Sequence, residues 1–334
     1  MHITWSVRAD LRTFASMERL LKDYFEEIDK TEKVDFMVCL EYEKYKDLDE
    51  ILEFGEPTII HNSKKSAVHE KGIEYRNGMS TSIYNCSTKS VYIINYLSNT
   101  ISIYNSDKGV IYKDGIRVIR DIVKVLAEKK NAVMIHAAAL YKEGYGGIIL
   151  VGGKGSGKTS ISLELLYRYG FSEVSRDRIM LQENNGNYTI YGWPNYYNLT
   201  IRTMNSYNET RKKIPERYKG MTERELDLVN KKIQFTAEEI GIKNREKKAP
   251  LNHIFYLNNH NKGMNLSKEE LLAISCYTPE DLNYPNWHRW EKNERDKAFK
   301  IAKDLLNNNS TTITWNSLQE AIDVILQKCN KMSE

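Results

Sequence analysis

Eight consecutive residues, GGKGSGKT at 152–159, carry the clearest chemistry in this 334-residue chain. They fit G-x-x-x-x-G-K-[ST], a pattern suited to gripping phosphate. Glycines let the backbone curl so that the N–H groups of residues 153–159 turn toward one anion. Lys158 brings a compact positive charge to the β- and γ-phosphates of a nucleotide. The Thr159 hydroxyl is placed to ligate Mg²⁺. On this reading Gly153, Lys154, Gly155, Ser156, Gly157, Lys158, Thr159 and Ser160 form a nucleotide-binding segment. A plain flexible turn is the alternative, and the flanks argue against it. Residues 147–151 (GIILV) read as a short buried strand. Residues 160–169 read as a helix with Ile161, Leu165 and Tyr169 on one face and Gly170 as its stop. The helix N-terminus adds its own partial positive charge to the loop.

Two further residues suit the same chemistry. Asp177 lies in residues 173–181 (EVSRDRIML), which read as a strand. A carboxylate there can hold Mg²⁺ or accept the proton of an attacking hydroxyl. An ion pair with Arg176 or Arg178 is the competing role. In an extended backbone, however, Asp177 faces away from both arginines. His136 lies in the apolar run 134–140 (MIHAAAL), also read as a strand. It is either a satisfied core histidine or the group that orients Asp177. The apolar strand at 254–257 (IFYL) is followed by Asn258 and Asn259, where an ordinary motor ATPase carries an acid. That leaves Asp177 as the acidic partner of the loop. Arg202, and Lys232 beside Lys231, are either phosphate contacts or solvated charges.

These residues need a scaffold, and the chain reads as two domains, 1–128 and 129–334. The first is expected to be α+β. It has strands near 3–7 and 34–42, an amphipathic helix at 17–28, a meander of short strands, and a helix at 116–127 leading into the second domain. The second is expected to be an α/β nucleotide-binding domain. It has a strand at 188–191, a charged helical or mobile region at 205–249, a strand at 311–315, and helices near 294–307 and 316–328. Apolar residues make up 41% and charged residues 28%, enough for a packed soluble core. A net charge of +4 spread along the chain argues against nucleic-acid or membrane-surface binding. No secretory signal and no membrane-spanning apolar run is evident. Four scattered cysteines suggest neither a zinc site nor a disulfide framework, and fit a reducing cytoplasm.

The order IHAAAL, GGIILV, GGKGSGKTS, SRDRIML across 135–181 resembles the HPr kinase/phosphorylase-like ATP-binding domain, as does Gly-Trp-Pro at 192–194. The resemblance spans roughly residues 130–260. It implies an α/β P-loop kinase domain of that type, using ATP and Mg²⁺, with Asp177 as general base and His136 as the family histidine. Arg176 stands where the family carries the first acid of an Asp-Asp pair. The N-terminal third does not look like the family's N-terminal domain, so the chain looks closer to relatives that phosphorylate hydroxyls on precursor peptides. The expectation is therefore an ATP- and Mg²⁺-dependent kinase acting on Ser or Thr of a peptide or protein. Lys158, Asp177 and His136 are its catalytic set, and Thr159 and Asp177 its metal ligands. The N-terminal domain and the 205–249 region would present the acceptor. A nucleotide-binding regulatory protein, or an ATPase without an acceptor, is the alternative. A homo-oligomer is compatible with either.

Overall fold

The computed structural model describes all residues except 28–32, 63–68, 230, 277–286, 288–291, 306–307 and 331–334. The protein is mixed α/β. Its first elements are β1 (Trp5–Arg8), α1 (Leu11–Leu21), β2 (Phe36–Glu41), α2 (Leu48–Phe54), β3 (Glu56–Asn62), β4 (His69–Asn77), β5 (Ser80–Asn85), β6 (Val91–Asn95), β7 (Thr100–Tyr104) and α3 (Lys108–Lys129). Then come β8 (Ala132–Ile135), β9 (Ala137–Lys142), β10 (Gly146–Val151), α4 (Lys158–Arg168), β11 (Ser172–Ser175), β12 (Ile179–Asn184), β13 (Asn187–Gly192), β14 (Tyr197–Thr200), α5 (Ile201–Asn205), α6 (Asn208–Arg211) and α7 (Glu223–Leu228). The chain ends with β15 (Lys232–Phe235), β16 (Lys248–Asn259), α8 (Lys268–Ser275), α9 (Lys292–Asp304), β17 (Ser310–Trp315) and α10 (Leu318–Asn330). No helix among the described residues is long and apolar enough to cross a membrane.

The chain divides into two compact units: Met1–Met134 with Cys276–Lys303, and Ile135–Ser275 with Asp304–Glu334. The first holds a seven-stranded sheet in the order β1-β2-β7-β6-β5-β4-β3. Here β1, β2 and β7 run parallel and the meander antiparallel. Helix α3 packs on β2 and β7. The expected helix at 17–28 instead runs Leu11–Leu21. Asp10 sets its start by accepting from the N–H groups of Arg12 and Thr13. Of that expected span, Ile28 lies outside the described residues. The return of Cys276–Lys303 to this unit differs from a division at one point in sequence. It has a visible anchor in Trp287, buried edge-on against Tyr92 with ring centroids 5.2 Å apart.

In the second unit β10 runs antiparallel to β9 and parallel to β16, and β17 runs parallel to β16. The first residues of β16 pair with β13, β13 pairs with β12, and β11 lies on β9. Helix α4 is held on two sides. Ile161 and Leu165 join Leu140, Ile148, Leu150, Phe255, Ile322 and Ile325 in one core. Leu163 joins Tyr197, Leu199, Ile201, Met204 and Tyr207 in another. Each fully buried side chain of this kind stabilises the unit by about 1.5–3 kcal/mol. The region expected to be helical or mobile at 205–249 folds as α6, α7, β15 and the start of β16. Strand β15 pairs antiparallel with β14.

Two expected strands are broken where chemistry was sought. The run 134–140 bends at His136, whose backbone N–H donates to the Ser275 carbonyl at 2.7 Å. The run 173–181 bends at Arg176 and Asp177, where the Ser175 hydroxyl donates to the Arg178 carbonyl and closes the turn. In each case a hydrogen bond outside the ladder takes over from regular pairing.

Candidate active site

The glycine segment runs from the C-terminal end of β10 into α4. Gly157 caps that helix with φ of 91°, and Gly155 has φ of 87°. Only glycine takes such a backbone without strain. At Gly157 sterics add to it, because a Cβ there would lie 2.4 Å from the Trp315 ring. A Cβ at Gly155 would meet nothing within 4 Å, so this side of the loop is open. Asn259, at the end of the neighbouring strand β16, donates from Nδ2 to the Gly155 carbonyl at 3.3 Å. The position of the missing acid is thus occupied by an amide that ties the loop.

Lys158 is buried, and its Nζ donates to the carbonyls of Gly152 and, at 3.3 Å, Gly153. Burial pushes its ammonium down to about 8, and the Asp177 carboxylate opposes that shift. Ser156 Oγ and Asn259 Oδ1 are buried without a hydrogen-bond partner among the described residues. Such orphaned atoms cost about 1–3 kcal/mol each unless a ligand or water meets them. Thr159 and Lys154 are exposed, and Ser160 is half-buried with its carbonyl accepting from Tyr207 at 3.0 Å.

His136 and Asp177 meet across the two bends, with Nδ1 3.4 Å from Oδ1. Both side chains keep about a third of their surface in solvent, 34% and 37%. The other carboxylate oxygen, Oδ2, accepts from Asn195 Nδ2 at 2.9 Å. The Asn195 side-chain oxygen, Oδ1, in turn accepts from the Tyr196 backbone N–H at 3.0 Å, which sets which end of the amide faces Asp177. Asn195 was not singled out in sequence. Its one signal is its place directly after the Gly-Trp-Pro break. The buried Trp193 anchors that loop, its backbone N–H donating to Ser175 Oγ at 3.3 Å.

Arg176 points elsewhere. Its side chain is 6% exposed and lies near Glu173 and the Tyr197 ring. Arg202, on α5, and Lys232, on β15, are exposed. Lys232 is in register with Thr200, and Arg202 lies in the first turn of α5. His136, Lys158 and Asp177 are instead linked by the His136–Asp177 contact and by the Asp177 charge acting on Lys158.

The described residues contain no group of three or more His, Cys, Asp or Glu side chains able to hold a metal ion. A divalent ion at Thr159 and Asp177 would need phosphate oxygens to complete its shell, as Mg²⁺ commonly does.

No family model matches this chain, and no curated protein matches it. Among solved structures, the Hpr(Ser) kinase/phosphatase from Coxiella burnetii is similar over 59% of this chain and 92% of its own, at 17% identity and a TM-score of 0.31. A TM-score that low decides neither fold nor activity, and the chain stands as a mixed α/β protein with a distant likeness to that kinase.

Proposed function

We propose that this chain is a kinase that transfers the γ-phosphoryl group of ATP to a Ser or Thr hydroxyl of a peptide or protein. The observation that carries this reading is the contact of Asp177 with His136, in a site where the Asp177 charge also acts on Lys158. A carboxylate with about a third of its surface in solvent, contacted by an imidazole and an amide, is suited to accepting a proton. The buried lysine of the loop is suited to phosphate.

Phosphoryl transfer needs positioning and charge neutralisation more than covalent help. Loop amides and Lys158 hold the phosphates of the substrate. Lys158 exchanges the Gly152 and Gly153 carbonyls for phosphate oxygens. Asp177 takes the proton of the acceptor hydroxyl as its oxygen bonds to the γ-phosphorus. The bond from phosphorus to the bridging oxygen breaks, and ADP leaves with that electron pair. His136 and Asn195 hold the two carboxylate oxygens so that one lone pair faces the acceptor. Thr159 and Asp177 are the residues that would hold Mg²⁺, whose charge would offset that of the phosphates. Arg202 and Lys232 are proposed as outer contacts to phosphate or acceptor.

The test is product analysis with γ-labelled ATP, Mg²⁺ and a panel of Ser- and Thr-containing peptides, ribosomal precursor peptides among them. Label on a peptide hydroxyl is expected. Label released only as inorganic phosphate, or nucleotide bound without turnover, overturns the kinase reading in favour of an ATPase or a nucleotide-operated switch.

A further inference from the structure

We infer that Arg176, which stands where the resemblance leads one to expect an acid, is a positioning residue that aims Asp177. The inference rests on Asp177 being the base proposed above.

It starts from an irregularity in β11. Glu173 pairs with Leu140, and Ser175 pairs with the adjacent Ala139, so Val174 is one residue too many for the ladder. In a regular strand, residues three apart point to opposite faces. The extra residue and the bend after Ser175 break that alternation, and Arg176 reaches back to Glu173, Nη2 to Oε1 at 3.6 Å. Both side chains are buried, at 6% and 1% exposure. The Arg176 guanidinium carbon stands 4.1 Å from the centroid of the Tyr197 ring. The Tyr197 hydroxyl donates to Glu173 Oε2, and Arg245 Nη2 donates to Oε1 at 3.1 Å. The Glu173 backbone is tied as well. Its N–H donates to Asn244 at 2.9 Å, and its carbonyl accepts from Glu246 at 2.8 Å.

The mechanical consequence lies in the sequence neighbours. Arg176 precedes Asp177 by one residue, and Tyr197 follows Asn195 by two. The stack of Arg176 on Tyr197 therefore clamps the bend carrying Asp177 to the loop carrying Asn195. The 2.9 Å hydrogen bond between Asp177 and Asn195 lies just beside that clamp. A flat, delocalised cation serves this place as an ammonium cannot, because it stacks on the ring and faces the carboxylate together. An aspartate at 176 would set a second carboxylate against buried Glu173, where like charges repel without solvent screening. Its contacts with Glu173 and Tyr197 give the arginine a structural role at this position.

The experiment compares the full chain with Arg176→Lys, Tyr197→Leu and Asp177→Asn. Two readouts are used: the ¹⁵N and ¹H resonances of the His136 imidazole, assigned with His136→Ala, and phosphoryl-transfer kinetics. Arg176→Lys is expected to move the His136 resonances in the direction that Asp177→Asn moves them. It should lower kcat about ten- to a hundredfold, the scale of an ångström-level misplacement, and leave the KM for ATP within about twofold. A folded Arg176→Lys with His136 resonances unmoved and kcat unchanged overturns the inference. Tyr197→Leu removes the ring and keeps the arginine. It gives the same two outcomes if Arg176→Lys does not fold. If the unaltered chain phosphorylates nothing, the kinase reading fails, while the resonances still decide whether Arg176 aims Asp177.

Discussion

Asp177 is held at both carboxylate oxygens by residues from two different loops, His136 Nδ1 at 3.4 Å from Oδ1 and Asn195 Nδ2 at 2.9 Å from Oδ2. One partner is an imidazole and the other an amide, so both carboxylate oxygens are oriented by side chains of fixed geometry. That distinguishes it from a surface ion pair, whose worth is about 0–1 kcal/mol and whose geometry is loose.

Replacing Asp177 by Asn keeps the shape and removes the proton acceptor. Transfer to a peptide hydroxyl is expected to fall by about 10²–10⁴-fold, the range general-base removal produces. ATP affinity, measured by calorimetry, should stay within a few-fold. Near-normal turnover would remove Asp177 from the base role.

His136 and Asn195 act on one carboxylate, so their substitutions should not add. His136→Ala and Asn195→Ala are each expected to lower kcat. The double variant should fall short of the product of the two losses by a coupling of about 0.5–3 kcal/mol. Independent, multiplicative effects in the double-mutant cycle would mean that the two do not share Asp177.

Lys158 makes a pH prediction whose sign is set by its burial. Its value in the folded protein is about 8, below the ordinary 10.5. Between these values the unfolded chain binds more protons, so stability rises with pH across that window. The penalty is full below about pH 8 and gone above 10.5. It amounts to about 3 kcal/mol at most, from 1.36 kcal/mol per pKa unit. Denaturant unfolding of wild type and Lys158→Met should show the gap between them changing in that direction. Nucleotide phosphate restores the charged form, so ATP binding near pH 9 should take up protons. Calorimetry in two buffers of different ionisation enthalpy measures this uptake, and Lys158→Met should lack it.

Gly157 and Gly155 share a left-handed backbone but differ in surroundings. Gly155→Ala meets only backbone strain, about 1–3 kcal/mol. Gly157→Ala adds the Trp315 ring at 2.4 Å from the new carbon, and overpacking of this kind costs about 1–3 kcal/mol more. The melting temperature should therefore fall further for Gly157→Ala. Equal losses would show that Trp315 yields without cost.

Much of the local structure was legible in the sequence. The strand, glycine loop and helix at 146–168 follow from an apolar run, closely spaced glycines and helical periodicity, all of which act within a few residues. The start of α1 was missed because one side chain, Asp10, sets it ahead of the apolar stripe. The helix face bearing Ile161 and Leu165 was readable, whereas burial of Leu163 on the opposite side needed the β14–β15 pair to cover it.

The sequence by itself determined the residue types able to do chemistry: Lys158, Thr159, Asp177 and His136. Only the tertiary structure decided which of them meet. His136 and Asp177 are 41 positions apart, and they converge where two strands break, one at the backbone hydrogen bond from His136 to Ser275 and the other at the turn closed by the Ser175 hydroxyl on the Arg178 carbonyl. Asn195 carries no periodicity and no motif, so its role is visible only where the Trp193 loop folds over Ser175. Arg176 looked like a substitution in a catalytic pair. A bulge at Val174 and the bend that follows Ser175 bring it back to buried Glu173, an arrangement that strand alternation alone does not give.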